Sequence, residues 1–286
     1  MKKRTVGMLG LGIMGSAMAA NLLRAGYRVV GYDPVAACRR RLARLGGVAV
    51  RTPEEVAAAA PILVTSLPSA AALASASKAI SGRRIVLETS TLPIADKERA
   101  RKALAAKGAV LLDCPLSGTG AQAKTGDLLV YASGERAAFR RALPVLRGFS
   151  RGQHYLGRFG NGSKMKFVAN LLVAIHNVSA AEAIVLARRC GLDPAEAVRV
   201  LGDGAGGSRM LQVRGPMMAA RRYLPATMSN ALWQKDMKVI GAFLRAVGSP
   251  APLFNATRPI YKATLKGLGK ADTAAVAAVL ERRARR

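Results

Sequence analysis

The chain has 286 residues, 51% of them apolar, and 45 lysines and arginines against 16 acids give a formal net charge of +29. That is long and apolar enough for one large or two medium domains with ample core. Three scattered cysteines (Cys38, Cys114, Cys190) and two histidines (His154, His176), with no CxxC or HExxH spacing, argue against a metal site and suit a reducing compartment.

The positive field would attract acidic ligands. No zinc-finger or RNA-recognition pattern accompanies it, and aromatic residues are only 5%, so no specific nucleic-acid partner is expected. An arginine- and alanine-rich composition explains the charge more simply. No uncharged apolar run reaches the roughly 18 residues of a membrane span. The opening MKKRTVGMLGLGIMG mimics a signal peptide, but its apolar part is a glycine-broken strand, turn and helix. A cytoplasmic protein without a membrane partner is expected.

Residues 5–9 read as a short apolar strand. Gly10-Leu11-Gly12-Ile13-Met14-Gly15 follows, then an alanine-rich helix to Ala25 with Gly26 at its C-cap. Residues 28–32 form a second strand, ending at Asp33 and Pro34. Strand, GxGxxG, helix, strand and acid stand in the order a dinucleotide-binding turn needs. Gly10 allows the tight turn, Gly12 a close approach to pyrophosphate, and Gly15 close helix packing. The helix-start N–H groups hold phosphate. Asp33, 23 residues past Gly10, would accept from the adenosine ribose hydroxyls and repel a 2′-phosphate, which favours NAD over NADP. Arg39, Arg40 and Arg41 follow within two turns of helix and could offset that repulsion; their plainer reading is a solvated basic face.

Short apolar runs at 61–66, 84–88 and 109–114 read as buried parallel strands, with helices at 54–60, 70–80 and 95–108 between them. Residues 127–133 and 152–156 read as later strands. The alternation predicts an α/β doubly wound sheet of the Rossmann type over residues 1–162. The segment DCPLSGTGAQAKTGDL places Ser117, Gly118, Thr119 and Gly120 directly after a strand. Ligands of such sheets lie beyond the strands' carboxyl ends, and this loop offers backbone N–H groups and hydroxyls to a carboxylate.

From residue 163 to 286 an all-α domain for substrate and oligomerisation is predicted. Its first helix, 163–190, is long enough to join the two domains, and Gly191 stops it. Asp193 and Pro194 then suit N-cap and N1. Further helices are predicted at 230–247, 259–267 and 272–286, with a flexible interruption at 202–208. A homo-oligomer, dimer or tetramer, is expected. GRFGNGSKMKFVAN at 157–170 puts Lys166 and Asn170 at i and i+4, on one helical face. They form a candidate proton donor and its orienting partner beside a glycine-rich turn.

Together these segments resemble the β-hydroxyacid dehydrogenases, over essentially the whole chain. GLGIMGSAMAANLLRAGY resembles that family's cofactor signature, DCPLSGTGAQAKTGDL its substrate signature, GRFGNGSKMKFVANLL its catalytic signature, and Gln234-Lys235-Asp236-Met237 its KD segment. The resemblance implies Lys166 as the catalytic lysine, assisted by Asn170. It implies that Ser117, Gly118 and Thr119 bind the carboxylate of a small acid. Lys235 would reach toward cofactor and substrate, and Asp236 would orient nearby groups. Leu67 and Pro68 would cover the adenine side, and Ser90-Thr91 would lie near the nicotinamide. The chain departs from the family at Thr119, Ala169 and Ala72. Thr119 replaces a second glycine, and its added methyl and hydroxyl are expected in the pocket.

The expected reaction passes hydride between nicotinamide C4 and a small 3-hydroxy acid or its semialdehyde. Lys166 would act as general acid/base, its pKa brought down by burial, by Lys235 and by the overall positive field. Imine reductases share the architecture but usually lack the lysine. A noncatalytic basic scaffold would not need Lys166, Asn170 and the glycine turn together. The substrate's side chain is not legible, although Arg209 or Arg214 is a candidate for a second anionic group. His176 reads as a packing residue, and Trp233 as core or cleft wall.

Overall fold

The computed structural model describes residues 4–284. The chain divides into two compact units, Met1–Lys166 and Phe167–Arg286. The division falls a few residues past the expected 162/163 boundary.

The first unit opens with alternating elements: β1 (Thr5–Leu9), α1 (Ile13–Arg24), β2 (Arg28–Tyr32), α2 (Ala36–Arg44), β3 (Val48–Ala49), α3 (Pro53–Ala59), β4 (Ile62–Thr65), α4 (Ala70–Ala79), β5 (Ile85–Glu88), α5 (Ile94–Ala105) and β6 (Val110–Asp113). The six strands form one parallel sheet in the order β3-β2-β1-β4-β5-β6. In register, Leu9 pairs with Tyr32 on one side and Thr65 on the other. The order reverses between β1 and β4, so the chain leaves these two strands toward opposite faces and a crevice opens at their carboxyl ends.

The strands are almost continuously apolar because both faces are covered. Met8, Val29, Val64 and Leu87 pack with Met18 and Leu22 of α1 in one layer. Leu9, Val30, Leu63 and Val86 pack with Val56, Leu73 and Leu104 in the other. Local chemistry starts the helices: Thr52 accepts from Glu55 N ahead of Pro53, and Ser69 accepts from Ala72 N.

A small second sheet follows: β7 (Leu116–Ser117), α6 (Gly120–Lys124), β8 (Leu129–Ala132), α7 (Arg136–Arg147) and β9 (Gly152–Tyr155). β7 is antiparallel to β8, and β9 is parallel to it. The predicted strands at 127–133 and 152–156 therefore belong to a separate sheet. α7 was not predicted, although its buried Ala138, Phe139, Ala142, Val145 and Leu146 have helical spacing. Pro144 lies inside it.

α8 (Asn161–Arg189) runs 29 residues. Its first turn belongs to the first unit, and its remainder begins the second. By length and composition it could cross a membrane; its Ala174, Val178, Ala181 and Ile184 are buried in this structure, and its Val168, Leu172 and Leu186 are exposed. The second unit continues with α9 (Pro194–Asp203), α10 (Arg209–Ala219), α11 (Asn230–Ala246), α12 (Pro252–Ala263), α13 (Leu265–Leu268), a 3-10 turn (Thr273–Ala275) and α14 (Val276–Arg283). The helix predicted at 259–267 instead starts at Pro252 and holds Pro259 inside it. The helix predicted at 272–286 begins as the 3-10 turn, because the Asp272 carboxylate accepts from Ala274 N. Its expected end, like the chain's first three residues, lies outside the described residues. Asn177 Nδ2 donates to Tyr261 Oη at 3.1 Å and to Thr273 O at 2.9 Å, tying α8 to α12 and the 3-10 turn.

Candidate active site

At the end of β1 each glycine has a distinct constraint. Gly10 has φ 91°, and a Cβ there would meet Ser66 O at 2.2 Å. A Cβ on Gly15 would meet Gly10 O at 2.0 Å, so α1 can start only if that position is bare. A Cβ on Gly12 would meet nothing within 4 Å. The protein itself leaves room at Gly12, at the start of a helix with no side-chain cap. A bare N-cap with free N–H groups fits the pyrophosphate of a dinucleotide. Ile13 is exposed, Met14 half-buried and Leu11 buried.

Asp33 is buried, with one carboxylate oxygen on this turn and the other on the start of its own loop. Oδ2 accepts from Leu11 N at 2.8 Å and Oδ1 from Val35 N at 2.8 Å. Pro34 beside it is exposed. The arginines after it do more than coat a solvated face. Arg39 donates to Asp33 O at 2.6 Å and Pro34 O at 3.1 Å, and Arg41 donates to Ser16 Oγ at 3.2 Å.

Leu67 and Pro68 follow β4, with Leu67 packed beside Gly10. Leu67 N donates to Ser90 Oγ at 2.8 Å, which ties this loop to the Ser90-Thr91 loop after β5. Thr91 is half-buried. Ser117 and Gly118 follow β6 through the short β7. Gly118 has φ 138°, and a Cβ there would sit 2.6 Å from Leu128 Cδ2. Thr119 is the N-cap of α6 in a capping box with Gln122. Its hydroxyl accepts from Gln122 N at 3.4 Å, so it also serves the helix start.

The start of α8 is held from a distance. Gly162 N donates to Ser133 Oγ at 2.9 Å. Ser163 donates from N to Asp113 Oδ2 at 2.7 Å and from Oγ to Asp113 Oδ1 at 2.8 Å. The Asp113 carboxylate thus caps the helix, with its charge on the positive end of the helix dipole. Gly162 must be bare, since a Cβ would lie 2.2 Å from Tyr131 O. Lys166 follows one turn later and is 9% exposed.

In the second unit Asn170 is 4% exposed and donates from Nδ2 to Asp236 Oδ2 at 3.0 Å. Lys235 Nζ lies 3.8 Å from Asp236 Oδ1. These three residues form one cluster, with Lys235 exposed at its edge. Arg214 is engaged inside the second unit. It is buried, and its guanidinium donates to Asp272 Oδ1 at 2.9 Å. Arg209 remains exposed. Sequence reasoning missed the buried acids and base behind the site, Glu88, Lys97 and Asp113. A signal existed for Lys97, which shares a stripe of α5 with buried Ala100 and Leu104.

A parallel sheet with a glycine turn at its switch point, an acid ending β2 and a helical second unit defines a nicotinamide-dinucleotide-binding oxidoreductase of the Rossmann class. Residues 5–157 match the NAD binding domain of 6-phosphogluconate dehydrogenase, and residues 160–280 match the NAD-binding domain of NADP-dependent 3-hydroxyisobutyrate dehydrogenase. The chain belongs to the β-hydroxyacid dehydrogenase family. It is 32% identical to glyoxylate/succinic semialdehyde reductase 2, chloroplastic, of Arabidopsis thaliana, over 97% of this chain and 79% of that protein. It is 31% identical to L-threonate dehydrogenase of Cupriavidus necator, over 96% and 95%. Among solved structures, 3-hydroxyisobutyrate dehydrogenase of Mycobacterium tuberculosis with L-serine superposes with a TM-score of 0.87 at 28% identity, covering 98% of this chain and 99% of that one.

Proposed function

We propose that this protein oxidises a small 3-hydroxy acid, or reduces its semialdehyde, with Lys166 as the general acid/base. The observation that carries this reading is the placement of Lys166 and Asn170 one turn apart on α8, both buried, just past a helix start held by Asp113. A bound nicotinamide dinucleotide supplies or accepts the hydride. The residues that would hold it are Gly10, Leu11, Gly12, Ile13, Met14 and Gly15 at the phosphates, Asp33 and Pro34 at the ribose, and Leu67, Pro68 and Thr91 over the opposite wall. Ser117, Gly118 and Thr119 would receive the substrate carboxylate.

In oxidation the substrate hydroxyl proton passes to Lys166 Nζ as the carbonyl forms; in reduction the ammonium returns it to the developing alkoxide. Asn170 holds the lysine and substrate in register. NAD is the expected cofactor, because a 2′-phosphate would face the Asp33 carboxylate. Arg39 and Arg41 each spend one nitrogen on the Asp33 and Pro34 carbonyls and on Ser16, and their remaining N–H groups and charge offset part of that preference.

Absorbance at 340 nm tests this with both cofactors against 3-hydroxyisobutyrate, serine, glycerate, threonate and C4 semialdehydes. Wild type turns over at least one of them, whereas Lys166→Ala loses most turnover and still binds cofactor. Lys166→Arg is also poor, since a guanidinium does not readily release its proton. Turnover that survives Lys166→Ala removes the lysine from the chemistry. Tight cofactor binding with no turnover moves the reading to imines.

A further inference from the structure

Three charges are sealed beneath the site, all within the first unit. Glu88 ends β5, Asp113 ends β6, Lys97 lies on α5, and all three side chains are fully buried. Lys97 Nζ is 2.8 Å from Asp113 Oδ1 and 3.9 Å from Glu88 Oε1. Each carboxylate also holds a different part of the site. Glu88 accepts from Ser90 N at 2.7 Å and from the Thr65 hydroxyl, and Ser90 Oγ in turn accepts from Leu67 N. Asp113 caps α8 through Ser163.

Two acids and one base leave one surplus negative charge in the interior. The Ser90 and Ser163 N–H groups and the positive end of α8 face it. Stability alone does not call for this arrangement, since well-packed apolar side chains usually replace a buried ion pair at no loss. What the ammonium provides is a fixed link between two carboxylates that otherwise repel.

We propose that Lys97 is a positioning residue, clamped between Glu88 and Asp113 so that the loops after β4 and β5 and the first turn of α8 hold one geometry, which sets where Lys166 is presented. The catalytic part of this proposal rests on the reading of Lys166 as the acid/base group.

The test compares wild type with Lys97→Met, by amide hydrogen exchange over residues 157–166 and 88–92, NADH titration and steady-state kinetics. In the folded variant, exchange at the α8 start accelerates about tenfold or more without any cofactor present. NADH binding protects residues 160–166 in wild type, and that protection does not transmit in the variant. With a substrate from the panel, kcat falls about tenfold or more while KM moves less than about threefold. Wild-type exchange at 160–166 in a folded Lys97→Met overturns the proposal, and so does an equal loss in kcat and rise in KM. Should Lys97→Met not fold, Lys97→Met combined with Glu88→Gln retains the single buried negative charge while lacking the link, and the same outcomes decide. Exchange without cofactor does not depend on Lys166, so a wrong assignment of that residue shows separately, as turnover by Lys166→Ala.

Discussion

Asn170 Nδ2 donates to Asp236 Oδ2 at 3.0 Å, across 66 positions of sequence. The bond fixes which way the amide points. Its nitrogen is given to the carboxylate, and its Oδ1 is the atom left to accept from an ammonium or a substrate hydroxyl. The KD segment therefore meets α8 through Asp236, while Lys235 remains exposed.

Asp236→Asn should keep the fold and lower kcat by about 10- to 100-fold, because the amide loses its fixed orientation at the reacting geometry. Asn170→Asp should be worse, placing a second carboxylate at hydrogen-bond distance from the first. Steady-state kinetics with thermal unfolding as a control checks both. Unaltered kcat in either would detach Asn170 from the chemistry.

The three glycines of the turn should separate by phenotype. Gly12→Ala meets open space, so its melting temperature should match wild type while NADH binding weakens markedly. Gly15→Ala drives a methyl into Gly10 O and should destabilise the first unit by about 1–3 kcal/mol, as overpacking does. Calorimetry and NADH titration on the same preparations make the comparison. A destabilised Gly12→Ala with normal cofactor affinity would contradict the assignment of that space to pyrophosphate.

Cofactor choice should respond to Asp33. Removing its charge with Asp33→Ser should narrow the gap between NAD and NADP in kcat/KM by about tenfold or more, the scale of one like-charge repulsion relieved. Because Asp33 also accepts from Leu11 N, some affinity for both cofactors should be lost. A wild type that prefers NADP would show that Arg39 and Arg41 outweigh the carboxylate.

Acid should loosen the second unit through Asp272. Burial alone would raise this carboxyl, but Arg214, the Ala274 N–H and the Thr227 hydroxyl together hold it below its ordinary value of 3.8. A carboxyl lowered on folding stabilises above its unfolded pKa, and the contribution is lost as pH falls through the lower folded value. Thermal stability should thus decline below about pH 4. Asp272→Asn, which strands buried Arg214, should cost about 3–5 kcal/mol at neutral pH and flatten the acid decline. An unchanged acid profile in Asp272→Asn would assign the decline to other carboxylates.

Much of the site was legible in the sequence because its signals are local. Gly10, Gly12 and Gly15, then Asp33, are read from the order of strand, turn and helix. Lys166 and Asn170 share a face by their four-residue spacing, and the two other glycine-bearing segments are what single that face out. The roles of Thr119 and Arg214 were not legible, since what each touches depends on partners: Gln122 in a helix too short to predict, and Asp272 at 58 positions' remove. The early start of α8 was hidden for the same reason, its first turn being capped by Asp113 from β6 rather than by a neighbouring residue.

Periodicity, turn chemistry and helix-stop residues are properties of adjacent side chains, so the sequence by itself determined the parallel sheet, the dinucleotide turn and the face of α8 that carries the lysine. Only the tertiary structure decided how the buried polar groups pair. Burial makes an unpartnered charge costly, so Glu88, Lys97 and Asp113 had to be satisfied by one another and by distant N–H groups. Which groups meet is set by the stacking of strands and helices, not by their order along the chain.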